Sequence, residues 1–265
     1  MLDSLRAFLP VMAFGISLLA PPAQGQILDS ISKNGVLSVC IWPDYYGISF
    51  RNKRTSALQG VDITLSQELA KDLGVEIAYI ETDFSKFVND IEKGRCHIAM
   101  MAVGVTKARA ERVAFSEPYM RSDLYGITTN SNRRIKNWND LDQSGNRVAV
   151  LKGTVMEPFM KDYLKRAELV VTTKPGEREL EVEAGRADVF ITDYPYSRRM
   201  LENTDWARLV EPTSTINLTD YAYAVPQGDA EWLDRVNQFV RSIKSDGRLR
   251  LAAEPFGLLP IIVTD

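Results

Sequence analysis

Charged and hydroxyl side chains follow apolar segments at three places in the chain, and their types suit the binding of a small ion pair. Arg109 follows the apolar residues 97–105, Thr154 follows Gly153, and Asp193 ends the segment DVFITD. An arginine and a helix N-terminus both attract an anion, whereas a carboxylate at the end of an apolar strand needs a cationic partner. Together these residue types match the carboxylate and the ammonium of an α-amino-acid zwitterion.

Each of these three residues also has a structural explanation that needs no ligand. We expect Thr106 to cap a short helix that places Arg109 in its first turn, where an arginine opposes the helix dipole. A bound anion would account for that placement, and so would a surface ion pair. Thr154 could simply cap a helix, and Asp193 could pair with Arg198. The spacing of the residues leaves these alternatives open.

Three aromatic residues accompany the first apolar segment of the chain. Trp42 ends the segment VLSVCIW, and Tyr45 and Tyr46 follow shortly after it. Aromatic rings in such a position can form the wall of a pocket and stack on a ligand or a cation. Packing within the loop is the alternative explanation.

The segments around these side chains alternate between strand and helix patterns. Residues 36–42, 75–81 and 97–105 are β-branched and apolar, which predicts three strands. The third is apolar throughout, as is typical of a central parallel strand. Gly74 stands where the first helix would need a C-terminal cap. The apolar faces of the two intervening helices are Leu65, Leu69 and Leu73 in a helix opened by Gly60 and Asp62, then Phe84, Phe87, Val88 and Ile91 in a helix capped by Asp83.

A second cycle of strands and helices repeats the order of the first. Both cycles contain a helix, a glycine, an arginine and an apolar strand in succession, in EKGRCHIAMM and in EAGRADVFITD. This echo favours two similar α/β lobes with a ligand cleft between them, beyond the carboxyl ends of the strands. The predicted elements are strands at 146–151, 168–173 and 188–193, a helix opening with the capping box Thr154–Glu157, a helix near 176–184, and a long helix near 230–244 capped by Asp229.

The composition excludes several classes of protein. The chain has 265 residues with 32 Lys and Arg against 35 Asp and Glu, so it lacks the basic excess of a nucleic-acid-binding protein. A single histidine and two cysteines cannot supply a histidine-rich zinc site, and we expect neither a metal nor another cofactor. No oligomerisation signal stands out, so a monomer is expected.

The N-terminal residues have the pattern of a secretory signal peptide. The apolar run AFLPVMAFGISLLA at 7–20 is shorter than the roughly 20 residues that span a bilayer, and it follows Arg6. Small residues at Ala23 and Gly25 predict cleavage after Gly25. We therefore expect residues 1–25 to be removed and the remaining chain to be exported to the periplasm, an uncleaved amphipathic helix being the alternative.

Seven segments of the chain are informative through their order and spacing. They are GVLSVCIWPDYYGISF, QGVDITLSQELAKDLGVEI, DFSKFVNDIEKGRCHIAMM, VTKARAERVAFSEPYM, VAVLKGT, EAGRADVFITDYP and IKSDGRLRLAAEPFG. Together these segments resemble the bacterial extracellular solute-binding proteins of family 3, which are periplasmic receptors of amino-acid ABC transporters. The resemblance implies an α/β, type II periplasmic-binding-protein fold with two lobes, a ligand cleft between them and a two-strand hinge that lets them close. It also implies a first lobe at 26–126, a second lobe at 127–222 and a return to the first lobe at 223–265.

The resemblance also implies a role for each residue of a ligand site. Arg109 would bind the α-carboxylate with hydrogen bonds added by Thr154, and Asp193 would bind the α-ammonium. Tyr45 would cover the ligand, and Phe87 would line the pocket.

Three further pocket positions bear on the identity of the ligand. Trp42 stands where family members specific for cationic side chains can carry an acid, which argues against Lys, Arg or His as the ligand. The family usually has small hydroxyl residues near the positions of Ala102 and Gly104, so two side-chain contacts are missing here. A modified amino acid or another small zwitterion is therefore also compatible with the sequence.

The two cysteines and the histidine are expected to be structural. If the strands that contain Cys40 and Cys96 are parallel neighbours, a shift of roughly four residues at about 3.3 Å each separates them. A disulfide needs Cα atoms within about 7 Å of each other, so free, partly buried thiols are predicted even though the periplasm is oxidising. His97 begins an apolar strand and is expected to be a structural residue rather than a ligand.

Three functions are compatible with these features. The leading hypothesis is a non-enzymatic protein that captures an amino-acid-like solute and delivers it to an ABC transporter permease. The second is an enzyme similar to the periplasmic cyclohexadienyl dehydratases, for which Glu157 is the nearest candidate general acid. Helix capping is the simpler role for Glu157, so binding without catalysis is expected. The third is a soluble sensor or an accessory subunit.

Overall fold

Helices and strands alternate along residues 26–264, the part of the chain that this computed structural model describes. The predicted signal peptide and its cleavage after Gly25 lie outside these residues. The helices are α1 (Gln26–Asn34), α2 (Val61–Leu73), α3 (Phe87–Glu92), α4 (Lys107–Ala110), α5 (Met156–Tyr163), α6 (Glu177–Glu183), α7 (Tyr194–Asn203), α8 (Ala230–Ser245) and α9 (Arg248–Ala253), with short 3₁₀ helices at Trp138–Asp140, Glu254–Phe256 and Leu259–Ile261. The strands are β1 (Val36–Ile41), β2 (Asp44–Tyr45), β3 (Ser49–Arg51), β4 (Leu58–Gln59), β5 (Glu76–Glu81), β6 (Ile98–Gly104), β7 (Val113–Phe115), β8 (Met120–Ser122), β9 (Leu124–Thr129), β10 (Arg147–Leu151), β11 (Glu168–Thr172), β12 (Val189–Asp193), β13 (Ala207–Val210) and β14 (Thr219–Pro226).

Two main sheets divide these elements into two lobes. The sheet of lobe I has the order β5-β1-β6-β14-β7, with β8 also paired to β14, and β1 is parallel to β5 and β6. The sheet of lobe II has the order β11-β10-β12-β9-β13, and β10 is parallel to β11 and β12. Strands β9 and β14 run antiparallel to their neighbours in the two sheets. The two-lobed α/β fold expected from the sequence is confirmed.

The local sequence explains the bounds of several helices. Gly74 adopts the left-handed conformation at φ 69° and ends α2, as predicted. The side chain of Asp229 accepts a hydrogen bond from the N–H of Trp232 at 3.0 Å and caps α8, which buries the predicted apolar face. Within residues 26–264, no helix combines the length and the apolar character that crossing a bilayer requires.

Two helices begin later than predicted. The expected helix from Asp83 starts only at Phe87, because the side chain of Asp83 accepts the N–H of Ser85 at 2.9 Å and holds residues 83–86 in a turn. The helix expected at Thr154 starts at Met156. In both cases a short polar side chain stabilises a turn ahead of the helix.

The chain crosses between the lobes twice, and Asp123 holds the two crossings together. The first crossing lies between β8 and β9, and the second lies between β13 and β14. The carboxylate of Asp123 accepts the backbone N–H groups of Ile216 at 3.0 Å and Asn217 at 2.9 Å. The predicted lobe boundaries after residues 126 and 222 fall inside β9 and β14, and each of these strands lies in a single sheet.

A disulfide joins Cys40 of β1 to Cys96, whose Cα atoms lie 5.6 Å apart. The prediction of free thiols is therefore wrong. In the observed register Cys40 lies opposite Ala99, so the offset is three residues rather than four. Cys96 also precedes β6, in the turn that follows α3, and the distance argument had assumed an extended strand through this residue. The turn places Cys96 within reach of β1.

We expect the double substitution Cys40→Ala with Cys96→Ala to lower the free energy of unfolding by roughly 3–4 kcal/mol, because this bond closes a long loop in the unfolded chain. Urea unfolding of the oxidised protein with and without dithiothreitol measures the same loss. The double variant serves as the control, since the reductant must leave its midpoint unchanged. Equal midpoints for the oxidised and reduced wild-type protein would contradict the prediction.

Candidate functional site

A narrow pocket lies between the lobes, where the carboxyl ends of β1, β6, β10 and β12 meet. The space open to the centre of a water molecule is about 30 Å³, so the lobes must move apart before a molecule of amino-acid size can enter. The pocket brings together seven of the eight residues predicted for the site, all except Phe87. Its lining residues are Trp42, Tyr45, Phe84, Ala102, Gly104, Arg109 and Tyr221 from lobe I, and Thr154, Val155, Met156, Arg178, Thr192, Asp193 and Tyr196 from lobe II.

Arg109 lies on α4, and its guanidinium bonds to both lobes. The hydroxyl of Thr106 accepts the N–H of Arg109 at 3.2 Å, which confirms the predicted cap of this short helix. Nη1 donates to the carbonyl of Gly104 in lobe I at 2.7 Å, and Nη2 donates to the carbonyl of Gly153 in lobe II at 2.8 Å. The guanidinium therefore joins the two lobes directly.

The positive charge of Arg109 has no counter-ion among residues 26–264. Its guanidinium donates only to carbonyl oxygens, and the rings of Phe84 and Phe87 lie 5.6 Å and 5.3 Å from Cζ. The surface ion pair that the sequence left open is not formed. Burial lowers the pKa of Arg109 to about 10, so the group stays protonated at neutral pH. A partly buried cation without a counter-ion favours an anionic ligand.

Asp193 ends β12 and faces the pocket from lobe II. Its Oδ1 accepts the N–H of Tyr196 at 3.2 Å, which caps α7. Its Oδ2 accepts the hydroxyl of Tyr221 at 2.7 Å and also the hydroxyl of Tyr45, and both tyrosines belong to lobe I. Arg198, the alternative partner in the sequence, forms its ion pair further along α7 instead.

The two tyrosines act as hydrogen-bond donors to this carboxylate. Burial raises the pKa of Tyr45 and of Tyr221 well above the usual value, and the nearby charge of Asp193 raises both further. Both hydroxyls therefore stay protonated at neutral pH. A carboxylate has about four acceptor positions, of which these tyrosines and the capping N–H occupy three. One position remains for a cationic group of a ligand.

Two glycines allow the close approach of the lobes. Gly153 has φ 80°, and a Cβ there would lie 2.7 Å from the backbone nitrogen of Ser85 in lobe I. A Cβ at Gly104 would lie 2.8 Å from Cγ1 of Val155 in lobe II. A side chain at position 104 would therefore crowd Val155 and Thr219 in this arrangement, whereas glycine fits there without contact.

Thr154 and Glu157 do not form the predicted capping box. The hydroxyl of Thr154 donates to the carbonyl of Leu151 at 2.7 Å, and Glu157 accepts the N–H of Gly153 at 2.7 Å. The helix starts two residues later than Thr154, so the threonine shapes the turn instead of capping it. Met156 in the first turn of α5 lines the pocket, and backbone N–H groups at the start of a helix lack acceptors within it, so this helix end can bind a carboxylate.

Aromatic rings form the lobe I wall of the pocket. The ring of Phe84 lies 5.4 Å from Trp42 and 5.7 Å from Tyr45, measured between centroids. Phe87 is fully buried behind Phe84 and contacts the guanidinium of Arg109. The structure therefore places Phe84 at the pocket surface and Phe87 beneath it as support.

The family of bacterial extracellular solute-binding proteins, family 3, matches residues 37–257. The chain belongs to this family. The match spans both lobes, both crossings and every residue that lines the pocket.

The curated relatives of this solute-binding protein include both an enzyme and transport proteins. Cyclohexadienyl dehydratase of Pseudomonas aeruginosa is 28% identical over 233 residues, which cover 88% of this chain and 86% of the relative. The L-cystine-binding protein TcyJ of Escherichia coli K12 is 23% identical over 254 residues, which cover 94% of both chains.

Solved structures of amino-acid-binding proteins share the fold of both lobes. The ancestral amino-acid-binding protein AncCDT-1, described as a precursor of cyclohexadienyl dehydratase, superposes with a TM-score of 0.80 at 30% identity and covers 86% of this chain and 98% of its own. The substrate-binding protein AbpA of Streptococcus pneumoniae, bound to L-arginine, gives a TM-score of 0.79 at 25% identity over 86% of this chain and 97% of its own.

Several pocket residues of this family member escaped the sequence analysis. Arg178 stands in the strongly charged segment GERELEVEAG, which is typical of an exposed helix. Tyr221 arrives on β14, an antiparallel strand from the far end of the chain. Tyr196 belongs to α7, a helix that was not predicted. Of these four residues, only Thr192 could have been identified from the sequence, because it directly precedes Asp193.

The histidine has the structural role that was expected. Nδ1 of His97 accepts the N–H of Ser38 at 3.1 Å, and burial lowers the pKa of His97. The residues from 26 to 264 contain no cluster of three or more His, Cys, Asp or Glu side chains that could hold a metal ion.

A buried carboxylate, Asp62, supports the pocket from below. Its Oδ2 accepts the N–H of Ala102 at 2.8 Å, and the hydroxyl of Tyr119 donates to both of its oxygens, at 2.7 Å and 2.6 Å. Ala102 has φ 47°, an unusual value for a residue with a Cβ, and the hydrogen bond that its N–H donates to Asp62 holds it there. Burial raises the pKa of Asp62 to about 7, against a usual value near 4.

The free energy of unfolding should therefore depend on pH through Asp62. The native state binds this proton more tightly than the unfolded state, so the stabilisation is fully present below about pH 4 and is lost as the pH rises through about 7. Relative to that of Asp62→Asn, the free energy of unfolding of the wild-type protein should fall by up to about 1.4 kcal/mol for each unit by which the pH rises in this interval. Denaturant unfolding of both proteins at several pH values measures the difference. Parallel pH profiles would show that Asp62 does not titrate in this range.

Proposed function

We propose that this protein captures a small amino-acid-like zwitterion in the periplasm and delivers it to the permease of an ABC transporter. The observation that carries the proposal is the guanidinium of Arg109, which lies in the interlobe pocket with no counter-ion within residues 26–264. A ligand carboxylate would supply the missing negative charge.

The pocket offers a separate place for each end of a zwitterion. The carboxylate would meet Arg109 from lobe I and the free N–H groups at the start of α5 from lobe II. The ammonium would occupy the remaining acceptor position of Asp193, beside the hydroxyls of Tyr45 and Tyr221. The ring of Trp42 would cover the ligand. Each charge of the ligand is thus paired with an opposite charge of the protein.

Contacts across the cleft favour the closed arrangement of the lobes. Arg109 reaches the carbonyl of Gly153, and Tyr45 and Tyr221 reach Asp193. A ligand that bonds to both lobes adds further contacts to this state, so its binding shifts the lobes toward closure. Movement about the crossings at Asp123 would expose the pocket again, and the permease would receive the ligand when the lobes open.

The family and the relatives support this role. TcyJ binds L-cystine and AbpA was solved with L-arginine, and each aligns with this chain over more than four-fifths of both lengths. Export to the periplasm would follow from the predicted signal peptide at 1–25. We further propose that the protein acts as a monomer and uses no cofactor.

A second candidate function is dehydration of a cyclohexadienyl acid, which the relative from Pseudomonas aeruginosa favours. This chemistry needs a general acid that reaches the substrate. Asp193 is the single carboxylate among the described residues that line the pocket, and it accepts three hydrogen bonds. Glu157 lies outside that lining and accepts the N–H of Gly153. These contacts favour binding over catalysis.

A thermal-shift screen of residues 26–265 against amino acids and related zwitterions tests the proposed function. The protein should first be refolded from denaturant with its disulfide intact, which removes any ligand carried through purification. A ligand present at about 100 times its Kd should add about 2.7 kcal/mol of stability. Prephenate turnover in the same preparation, abolished by Glu157→Gln, would replace the transport role with the enzymatic one.

Arg109→Ala should weaken binding of the ligand found in that screen by roughly 2–5 kcal/mol, because the ligand carboxylate loses its charged partner. Isothermal titration calorimetry measures the change. Lys107→Ala is the matched control, since Lys107 is an exposed cation on the same helix and its removal should leave the affinity unchanged. Equal affinities for wild-type protein and Arg109→Ala would remove Arg109 from the binding site.

A further inference from the structure

A second arginine, Arg178 on α6, lies in the wall of the pocket with no part in binding the zwitterion. It is only 3% exposed. The ring of Tyr196 lies 4.3 Å from its Cζ, and the ring of Phe190 lies 5.0 Å away. These rings hold the guanidinium in place and exclude water from its faces. A ligand group that extended toward lobe II would meet this arginine.

The guanidinium of Arg178 has more N–H groups than the hydrogen bonds it donates. Nε donates to Oε1 of Glu179 at 3.0 Å, Nη1 donates to the carbonyl of Ile191 at 3.0 Å, and Nη2 donates to the hydroxyl of Thr192 at 3.4 Å. A guanidinium carries five N–H groups. Two of them, one on each terminal nitrogen, have no partner in the part of the chain that the structure describes. Thr192 and Tyr196 line the pocket beside these nitrogens.

The charges around the pocket indicate which kind of group these donors would meet. Arg109 and Asp193 balance the carboxylate and the ammonium of a zwitterion, and Glu179 already balances Arg178. A second carboxylate on the ligand would add a buried negative charge with no counterpart, and a cationic side chain would face Arg178 directly. An uncharged oxygen acceptor satisfies the free N–H groups without disturbing this balance.

Resting on the proposed function, we propose that Arg178 determines the specificity of the pocket by donating hydrogen bonds to an uncharged oxygen in the side chain of the ligand. The chemical class that fits is an α-amino acid whose side chain carries a carboxamide or a similar neutral carbonyl. An apolar side chain with the same carbon skeleton would leave the donors of Arg178 unpaired in the closed pocket, which lowers affinity.

Calorimetric titration of the refolded wild-type protein with glutamine, glutamate, norvaline and lysine tests whether the pocket prefers an uncharged side-chain oxygen. These ligands share the α-carboxylate and the α-ammonium, and they differ at the side chain. Glutamine should bind at least about tenfold more tightly than norvaline, and glutamate and lysine should both bind more weakly than glutamine. Norvaline binding as tightly as glutamine would overturn the role of Arg178 and leave the proposed function intact. No binding of any of the four would overturn the role of Arg178, and only a thermal-shift screen without any hit would overturn the proposed function as well.

Two variants test whether Arg178 itself causes the preference for a neutral side-chain oxygen. Glu179→Gln removes the charge that balances Arg178, so glutamate affinity should rise at least about tenfold relative to glutamine. A purely structural role for Arg178 would not produce this exchange. Arg178→Met combined with Glu179→Gln removes both buried charges together and should fold, as circular dichroism and thermal unfolding would verify. In this variant the preference for glutamine over norvaline should vanish, and its persistence would assign the selection to another residue.

Discussion

The uncompensated charge of Arg109, partly buried between the lobes, is the constraint on which the other features of the site depend. Its guanidinium donates to Gly104 in one lobe and to Gly153 in the other, and it has no acidic partner among residues 26–264. Carbonyl oxygens satisfy some of its N–H groups but leave its net charge uncompensated. Under the proposed function, a ligand carboxylate would supply the missing negative charge.

Other features make that arrangement possible. Gly153 lets the backbone of lobe II approach Ser85 in lobe I, which brings its carbonyl within reach of Arg109. Tyr45 and Tyr221 cross the cleft to Asp193 and hold the second charged group of the pocket in position. The same residues that would bind a zwitterion therefore also hold the lobes together, so binding of a zwitterion there would favour closure.

Much of this structure could be predicted from local sequence. The buried strand β6, the glycine cap of α2 and the Asp229 cap of α8 follow from apolar runs and side-chain hydrogen bonds within a few residues. Arg109 and Asp193 could also be selected from the sequence, since Asp193 ends the apolar strand β12 and Arg109 lies in the short helix that follows the apolar strand β6. The helix start at Thr154 was placed too early because turn hydrogen bonds competed with the cap.

The sequence alone determined the alternating α/β elements, the two lobes and the charged residues at the strand ends, because these depend on short-range periodicity and on residue type. Only the tertiary structure decided which distant residues meet. The Cys40–Cys96 bond depends on a turn before β6, Tyr221 reaches the pocket on an antiparallel strand, and Arg178 is buried in an acidic helix that looks exposed in the sequence. The physical reason is that burial and pairing across the cleft are set by the packing of elements far apart in the chain, which no local pattern records.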